Sequence, residues 1–349
     1  MFRKTRLFFL LLGLIFSGIT AYKFWQNALP LVSPVALIEV MIGNAPSVKS
    51  KKIIYGFFPY WNLKWADQLN IGLLTHFAYF AVDLNPDGSI NKTNAKKEQE
   101  PGWNKLNSTS FEKLLYQTKL LGQKSVLTVT AMSPKLIDSL TVDQLTSSAA
   151  IHSIIEVYQD RHFDDINVDF EFVGEPGPET RDGFTQFVKK LKQTCLSVNP
   201  RCQIDVDVFA DSAEKYRLWD LSALNQSGDH FIVMAYDYYR KSSTQAGPIA
   251  PITGKCILTS NSQLPCLEQD IVTHVSQIIK ILPSEKVLLG IPFYGYEWQT
   301  AGKEYLANTY PKTGALASYQ RIRSLFSDPE IASLSAEWSN VSLSPYLTY

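Results

Sequence analysis

The stretch Phe163–Glu171, FDDINVDFE, decides the fold. In an extended chain successive side chains point to opposite faces, so Asp165, Asn167, Asp169 and Glu171 share one face and Ile166, Val168 and Phe170 share the other. The apolar face predicts cover by helices. The polar face would then line the interior of a barrel, where branched apolar residues normally pack and carboxylates are costly unless paired or functional. A solvated edge strand would also carry a polar face, but this stretch sits centrally among the strand candidates, and its branched residues argue for burial.

Six further runs of strand composition flank it: IIYGFFP from Ile53, LTHFAYFAV from Leu74, SVLTVTA from Ser125, QIDVDVFA from Gln203, HFIVMAYD from His230 and KVLLGIPF from Lys286. Between them lie stretches with apolar residues three or four apart. These are FEKLLYQTKLLG, TVDQLTSSAAIHSIIEVYQD with Thr141 as its cap, GFTQFVKKLKQTCLSV and LEQDIVTHVSQIIKIL. Strands alternating with helices predict an α/β fold with a parallel sheet, and seven such units predict a (β/α)8 TIM barrel, which carries its chemistry at the C-terminal ends of its strands. The eighth strand is missing from the pattern. Residues 299–345 read as a small α+β insertion after the seventh strand, and the expectation is a barrel whose C-terminus is truncated. A doubly wound open sheet is the alternative, but no Gly-rich phosphate loop follows the first strand.

The 349 residues are 45% hydrophobic and 19% charged, with 33 basic residues balancing 33 acidic ones. No global field then favours nucleic acid or an anionic surface, and a neutral substrate fits the balance. At the N-terminus Arg3, Lys4 and Arg6 precede the apolar run Leu7–Tyr22. Residues 1–23 are expected to be a signal anchor or a cleaved signal peptide, the uncleaved anchor being favoured because basic flanks hold the N-terminus cytoplasmic. The protein would then face the extracytoplasmic side, anchored in the membrane or secreted. Residues 24–50 read as a linker and residues 51–349 as the barrel. An exported protein can oxidise its cysteines, so Cys195 with Cys202 and Cys256 with Cys266 are expected as two local disulfides. No metal-ligand cluster or nucleotide loop is visible, and the expectation is a monomer without a cofactor.

Two carboxylates two residues apart on one strand lie about 7 Å apart by Cα, so one can hold a proton beside the other's charge. Such a pair, Asp169 with Glu171, makes a general acid near neutral pH.

FDDINVDFE resembles the D-x-x-D-x-D-x-E strand of glycoside hydrolase family 18, the chitinase-like barrel enzymes. MAYD (Met234–Asp237), THFAYFAVD from Thr75 and KVLLGIPFYGYEW from Lys286 resemble the sixth, second and seventh strands of that family, in its order. The resemblance implies a retaining, substrate-assisted glycoside hydrolase. In it Glu171 protonates the glycosidic oxygen, Asp169 orients the substrate's own N-acetyl group, Tyr236 donates a hydrogen bond to that group, and Asp237 and Met234 line the subsite. Tyr79, Tyr294 and Trp298 are near strand ends and would stack on sugar faces, unless they are core.

Two positions depart from the family pattern. Asn167 replaces the middle acid and cannot take a proton from Asp169, and Asp165, where the family has glycine, would partly replace the missing charge. Together with GPIAPI (Gly247–Ile252), Asn167 makes the chain similar to the branch of spore-germination and cortex-lytic N-acetylglucosaminidases and their chitinase-like relatives. That branch implies an amino-sugar polysaccharide partner, peptidoglycan or chitin. A catalytically weak or inactive carbohydrate-binding barrel is the second reading.

Overall fold

The computed structural model describes residues 52–94, 96–255, 266–329, 331 and 333–349. The expected membrane segment, the whole of the linker and Cys256 lie outside them. Each strand-like run forms a strand, because β-branched and aromatic residues suit a pleated surface buried on one or both sides. The strands are β1 (Tyr55–Pro59), β2 (His76–Asp83), β3 (Lys124–Ala131), β4 (Asp165–Phe170), β5 (Ile204–Phe209), β6 (His230–Met234) and β7 (Val287–Leu289). They form one sheet in sequence order, and the pairings resolved along it are parallel. This is the strand order of a TIM barrel.

The crossovers are helical. They contain α1 (Pro101–Leu106) and α2 (Thr109–Leu120), α3 (Pro134–Val142) and α4 (Gln144–Asp160), α5 (Pro178–Val198), α6 (Leu221–Leu224) and α7 (Ile271–Ile278). Among the described residues no eighth parallel strand follows β7. Instead β8 (Tyr294–Glu297) pairs antiparallel with β9 (Ala315–Ser318), and α8 (Tyr319–Ser327) leads to an antiparallel pair of β10 (Ser335–Ser339) and β11 (Ser344–Thr348).

Two helices differ from expectation, and their caps explain why. Thr141 does not open a helix. Pro134 after the Ser133 cap starts α3 earlier, the Thr141 hydroxyl bonds the Ile137 carbonyl at 2.7 Å inside it, and extended backbone at Asp143 separates it from α4. The helix expected from Leu267 begins only at Ile271, where the Asp270 carboxylate accepts from the Thr273 N–H at 2.7 Å. β7 is also short. It gives way to Gly290, whose N–H reaches the Val233 carbonyl at 2.8 Å and where a Cβ would sit 2.7 Å from that oxygen.

Packing groups the chain into two units. The first runs to Ala131 and adds Gln144–Val168 and Thr194–Gln203. Its core includes Phe77, Tyr79, Phe111, Leu127 and Ile154, and a disulfide joins the buried Cys195 and Cys202 as expected. Cys266 is disulfide-bonded as well. The second unit comprises Met132–Asp143, Asp169–Gln193 and Ile204–Tyr349. In it Phe170, on the apolar face of β4, packs between Phe184 and Phe187 of α5 with ring centroids 5.7 and 5.3 Å away. Burying each of these side chains contributes about 1.5–3 kcal/mol. Gly183 lets α5 approach α3, since a Cβ there would lie 2.3 Å from the Thr141 carbonyl oxygen.

Candidate active site

The polar face of β4 divides along its length. At its start Asp165 is fully buried, accepts from the Gln203 N–H at 2.8 Å and pairs with the Lys124 ammonium at 3.4 Å. That pairing corrects the expectation that Asp165 would supply charge in place of the missing middle acid: its charge is already matched by Lys124. Asn167 is fully buried one pleat further on.

The end of the strand is different. Asp169 is 2% exposed, and its Oδ1 has no hydrogen-bond partner among the described residues. Burial pushes its carboxyl well above the ordinary aspartate range, and the neighbouring charge of Glu171 pushes in the same direction. Glu171 lies just past the strand and is partly exposed. Burial raises its pKa too; Asp237 adds to the rise and the Arg240 guanidinium opposes it. The two carboxyls therefore resist losing both their protons.

Tyr236 and Asp237 lie two and three residues past the end of β6. Burial holds the Tyr236 phenol far above its ordinary pKa, and the charges of Asp207, Asp169, Glu171 and Asp237 reinforce the effect, so its hydroxyl stays a donor. Gly290 makes room for its ring, since a Cβ there would lie 3.1 Å from it. Asp237 adopts left-handed backbone at φ 60°, which aspartate tolerates better than most residues. Its Oδ1 accepts from the Tyr294 hydroxyl at 2.8 Å and from the Tyr296 hydroxyl at 3.0 Å. Strand alternation along β8 puts Tyr294 and Tyr296 on one face, and the Trp298 ring continues the row, its centroid 5.9 Å from that of Tyr296. The Trp298 indole N–H has no partner among the described residues. Arg240 donates its Nε–H to the Asp237 carbonyl at 3.2 Å.

Of the residues singled out from sequence, Asp169, Glu171, Tyr236, Asp237 and Tyr294 come together in the second unit. Met234 is partly exposed at the end of β6, and Trp298 joins through Tyr296. Tyr79 does not belong with them. It is fully buried in the first unit, donates its hydroxyl to the Gly102 carbonyl at 2.6 Å and packs its ring on Phe111 of α2 at 4.5 Å, so it is a core residue and no sugar platform.

Sequence reasoning missed Asp207, Tyr296 and Arg240. Asp207 carried a readable signal, because IDVDVF alternates as β4 does, and Tyr296 lies in step with Tyr294. Arg240 carried none, since its location depends on the left-handed turn at Asp237. Among the described residues no group of three His, Cys, Asp or Glu side chains is arranged to hold a metal ion.

Residues 53–349 match the family profile described as Glycosyl hydrolases family 18. The chain belongs to that family. Among curated relatives, it is 24% identical over 261 residues to the probable di-N-acetylchitobiase 1 of Dictyostelium discoideum, covering 68% of this chain and 64% of that protein. It is 23% identical over 283 residues to the putative sporulation-specific glycosylase YdhD of Bacillus subtilis, covering 78% of this chain and 59% of the relative. The chain thus spans about three fifths of the length of these relatives. Among solved structures, the Group IV chitinase of Ostrinia furnacalis superposes with a TM-score of 0.72 at 17% identity, over 86% of this chain and 84% of that one. A class V chitinase from tobacco in complex with NAG4 gives 0.70 at 16% identity, over 85% and 84%. These likenesses show the fold, a TIM barrel.

Proposed function

We propose that this family 18 protein hydrolyses β-1,4 linkages after N-acetylglucosamine in peptidoglycan or chitin, with retention and with the substrate's own acetamido group as nucleophile. One observation carries the reading: Asp169 and Glu171 are both pushed towards their protonated forms, with the Tyr236 phenol held as a donor within Coulombic reach of both. At neutral pH such a pair retains a proton. Glu171, partly exposed at the strand end, delivers it to the glycosidic oxygen as the bond to C1 breaks. The acetamido oxygen attacks C1, which makes an enzyme nucleophile unnecessary and is the substrate-assisted exception among retaining glycosidases. Asp169 accepts from the acetamido N–H and offsets the charge that develops on the ring so formed, while Tyr236 donates to the acetamido oxygen. Glu171, now a carboxylate, takes a proton from the water that opens the intermediate. The names of the chitobiase, chitinase and glycosylase relatives support an amino-sugar substrate.

The test is product analysis on chito-oligosaccharides and on peptidoglycan. Glu171→Gln is expected to lower kcat by roughly 10²- to 10⁴-fold, the usual worth of a general acid. Full activity in that variant would sink the proposal. Asn167 favours a second reading, a barrel that binds amino-sugar chains without cleaving them; binding of N-acetylglucosamine oligomers by the unaltered protein with no new reducing ends would establish it.

We also propose export, with Leu7–Tyr22 as anchor or cleaved signal and the catalytic unit acting as a monomer outside the cytoplasm. The Cys195–Cys202 disulfide supports an oxidising compartment. Recovery of the protein in a membrane fraction that resists alkaline extraction, or in the medium at reduced mass, is the expected result; a soluble cytoplasmic pool would refute it.

A further inference from the structure

We propose that Arg240 selects amino-sugar polymers that bear a carboxylate beside the scissile bond, as the 3-O-lactyl group of muramic residues does, over neutral ones. The inference rests on the glycosidase reading above and narrows its substrate.

The site is crowded with acids. Asp169, Glu171, Asp207 and Asp237 all act electrostatically on Tyr236. A neutral polymer is indifferent to that field, whereas an anionic one is repelled unless a cation offsets it. Arg240 is such a cation: it is exposed, forms no ion pair among the described residues, and spends only its Nε–H, on the Asp237 carbonyl at 3.2 Å. The two terminal nitrogens remain available, and a guanidinium edge matches a carboxylate in bidentate fashion. The backbone that carries it is also held in place. The Arg240 N–H donates to the Ser243 hydroxyl at 2.9 Å, the Ser243 N–H returns to the Arg240 carbonyl at 2.9 Å, and Asp237, whose carbonyl anchors the guanidinium, is fixed by the two tyrosines of β8.

Its guanidinium is anchored on the carbonyl of Asp237, the residue after the Tyr236 donor, and it acts electrostatically on Glu171, the group assigned to protonate the leaving oxygen, which puts it beside the path of a sugar flanking that oxygen. There it works against catalysis on a neutral chain, because it lowers the pKa that burial raises in the acid. A bound carboxylate would neutralise Arg240 and remove that opposition, so an anionic substrate is both attracted and better protonated.

The experiment compares the full-length protein with Arg240→Gln and Arg240→Lys on two substrates: peptide-free glycan strands with free lactyl carboxylates, and the same strands with those carboxylates converted to methylamides. The readout is the ratio of the two kcat/KM values. Arg240→Gln is expected to lower that ratio about tenfold, mainly through KM, and Arg240→Lys to restore part of it. Added salt is expected to erode the preference of the unaltered protein, as it screens an exposed pair. A merely structural role would lower both rates together, and an unchanged ratio in Arg240→Gln overturns the inference. If the unaltered protein cleaves neither strand, the glycosidase reading fails, and the ratio of Kd values for the two strands then decides the role of Arg240 by the same criterion.

Discussion

The hydroxyl of Tyr294 donates to Oδ1 of Asp237 across 2.8 Å, and this bond ties β8 to the residue that follows the Tyr236 donor. Tyr296 reaches the same oxygen at 3.0 Å. A hydrogen bond to a charged group is worth about 1.5–3 kcal/mol, but the second donor compensates in part for loss of the first. Tyr294→Phe is therefore expected to lower kcat/KM about tenfold and the double variant with Tyr296→Phe by more than the product of the single losses. Steady-state kinetics on a chito-oligosaccharide, with circular dichroism to check folding, tests this.

The pH profile follows from Glu171. Its pKa is raised, mainly by burial, so the protonated acid persists above the ordinary glutamate value of 4.5 and kcat/KM falls as rising pH removes that proton. Arg240 opposes the rise. The alkaline limb of Arg240→Gln is accordingly expected at higher pH than that of the unaltered protein, and a limb displaced downward would contradict the electrostatic assignment.

Asp169 links the site to stability. Its folded pKa lies above the unfolded value of 3.8, so the folded state binds this proton more tightly. The contribution is fully present below the unfolded pKa and is lost as pH rises through the raised folded pKa. Asp169→Asn cannot ionise and escapes that loss. The difference in Tm, variant minus unaltered protein, is expected to become more positive between about pH 5 and about pH 9, as read by calorimetry at the two values.

The Cys195–Cys202 disulfide closes a short segment, with a sequence separation of 7, between α5 and β5. Restricting a loop of that length in the unfolded chain is worth about 2 kcal/mol. Replacing both cysteines with alanine is expected to lower Tm correspondingly while leaving kcat/KM within about twofold, because both cysteines belong to the first unit and the acids of the site, Asp169, Glu171, Asp207 and Asp237, to the second.

Tyr79 provides a contrasting case. Loss of its hydroxyl in Tyr79→Phe strands the Gly102 carbonyl in the core and is expected to cost about 1 kcal/mol in denaturant unfolding with no change in kcat/KM. A loss of activity without a loss of stability would return Tyr79 to the sugar site.

The contrast between Tyr79 and Asp169 shows what was legible. β4 alternates polar with apolar residues, so its two faces are distinguishable and the alternation itself assigns Asp169 to the interior. β2, HFAYFAVD, is apolar on both faces, and period two cannot then say which aromatic meets a helix and which the barrel interior. The seven parallel strands were legible because each is a compact run of β-branched or aromatic residues. Helix starts were less so: Thr141 resembles a cap, but Ser133 followed by Pro134 begins an earlier helix and leaves Thr141 inside it.

From the sequence alone came the strand order, the shared face of Asp169 and Glu171, and the paired cysteines 195 and 202, since each depends on neighbours within one segment. The tertiary structure alone decided that Lys124 neutralises Asp165, that Tyr294 and Tyr296 hold Asp237, that Asp207 bears on Tyr236, and that Arg240 bears on Glu171. The reason is physical. Alternation along a strand is a local property of the chain, whereas desolvation and Coulombic interaction depend on distances between β4, β5, β6 and β8, which are set only when the strands pack.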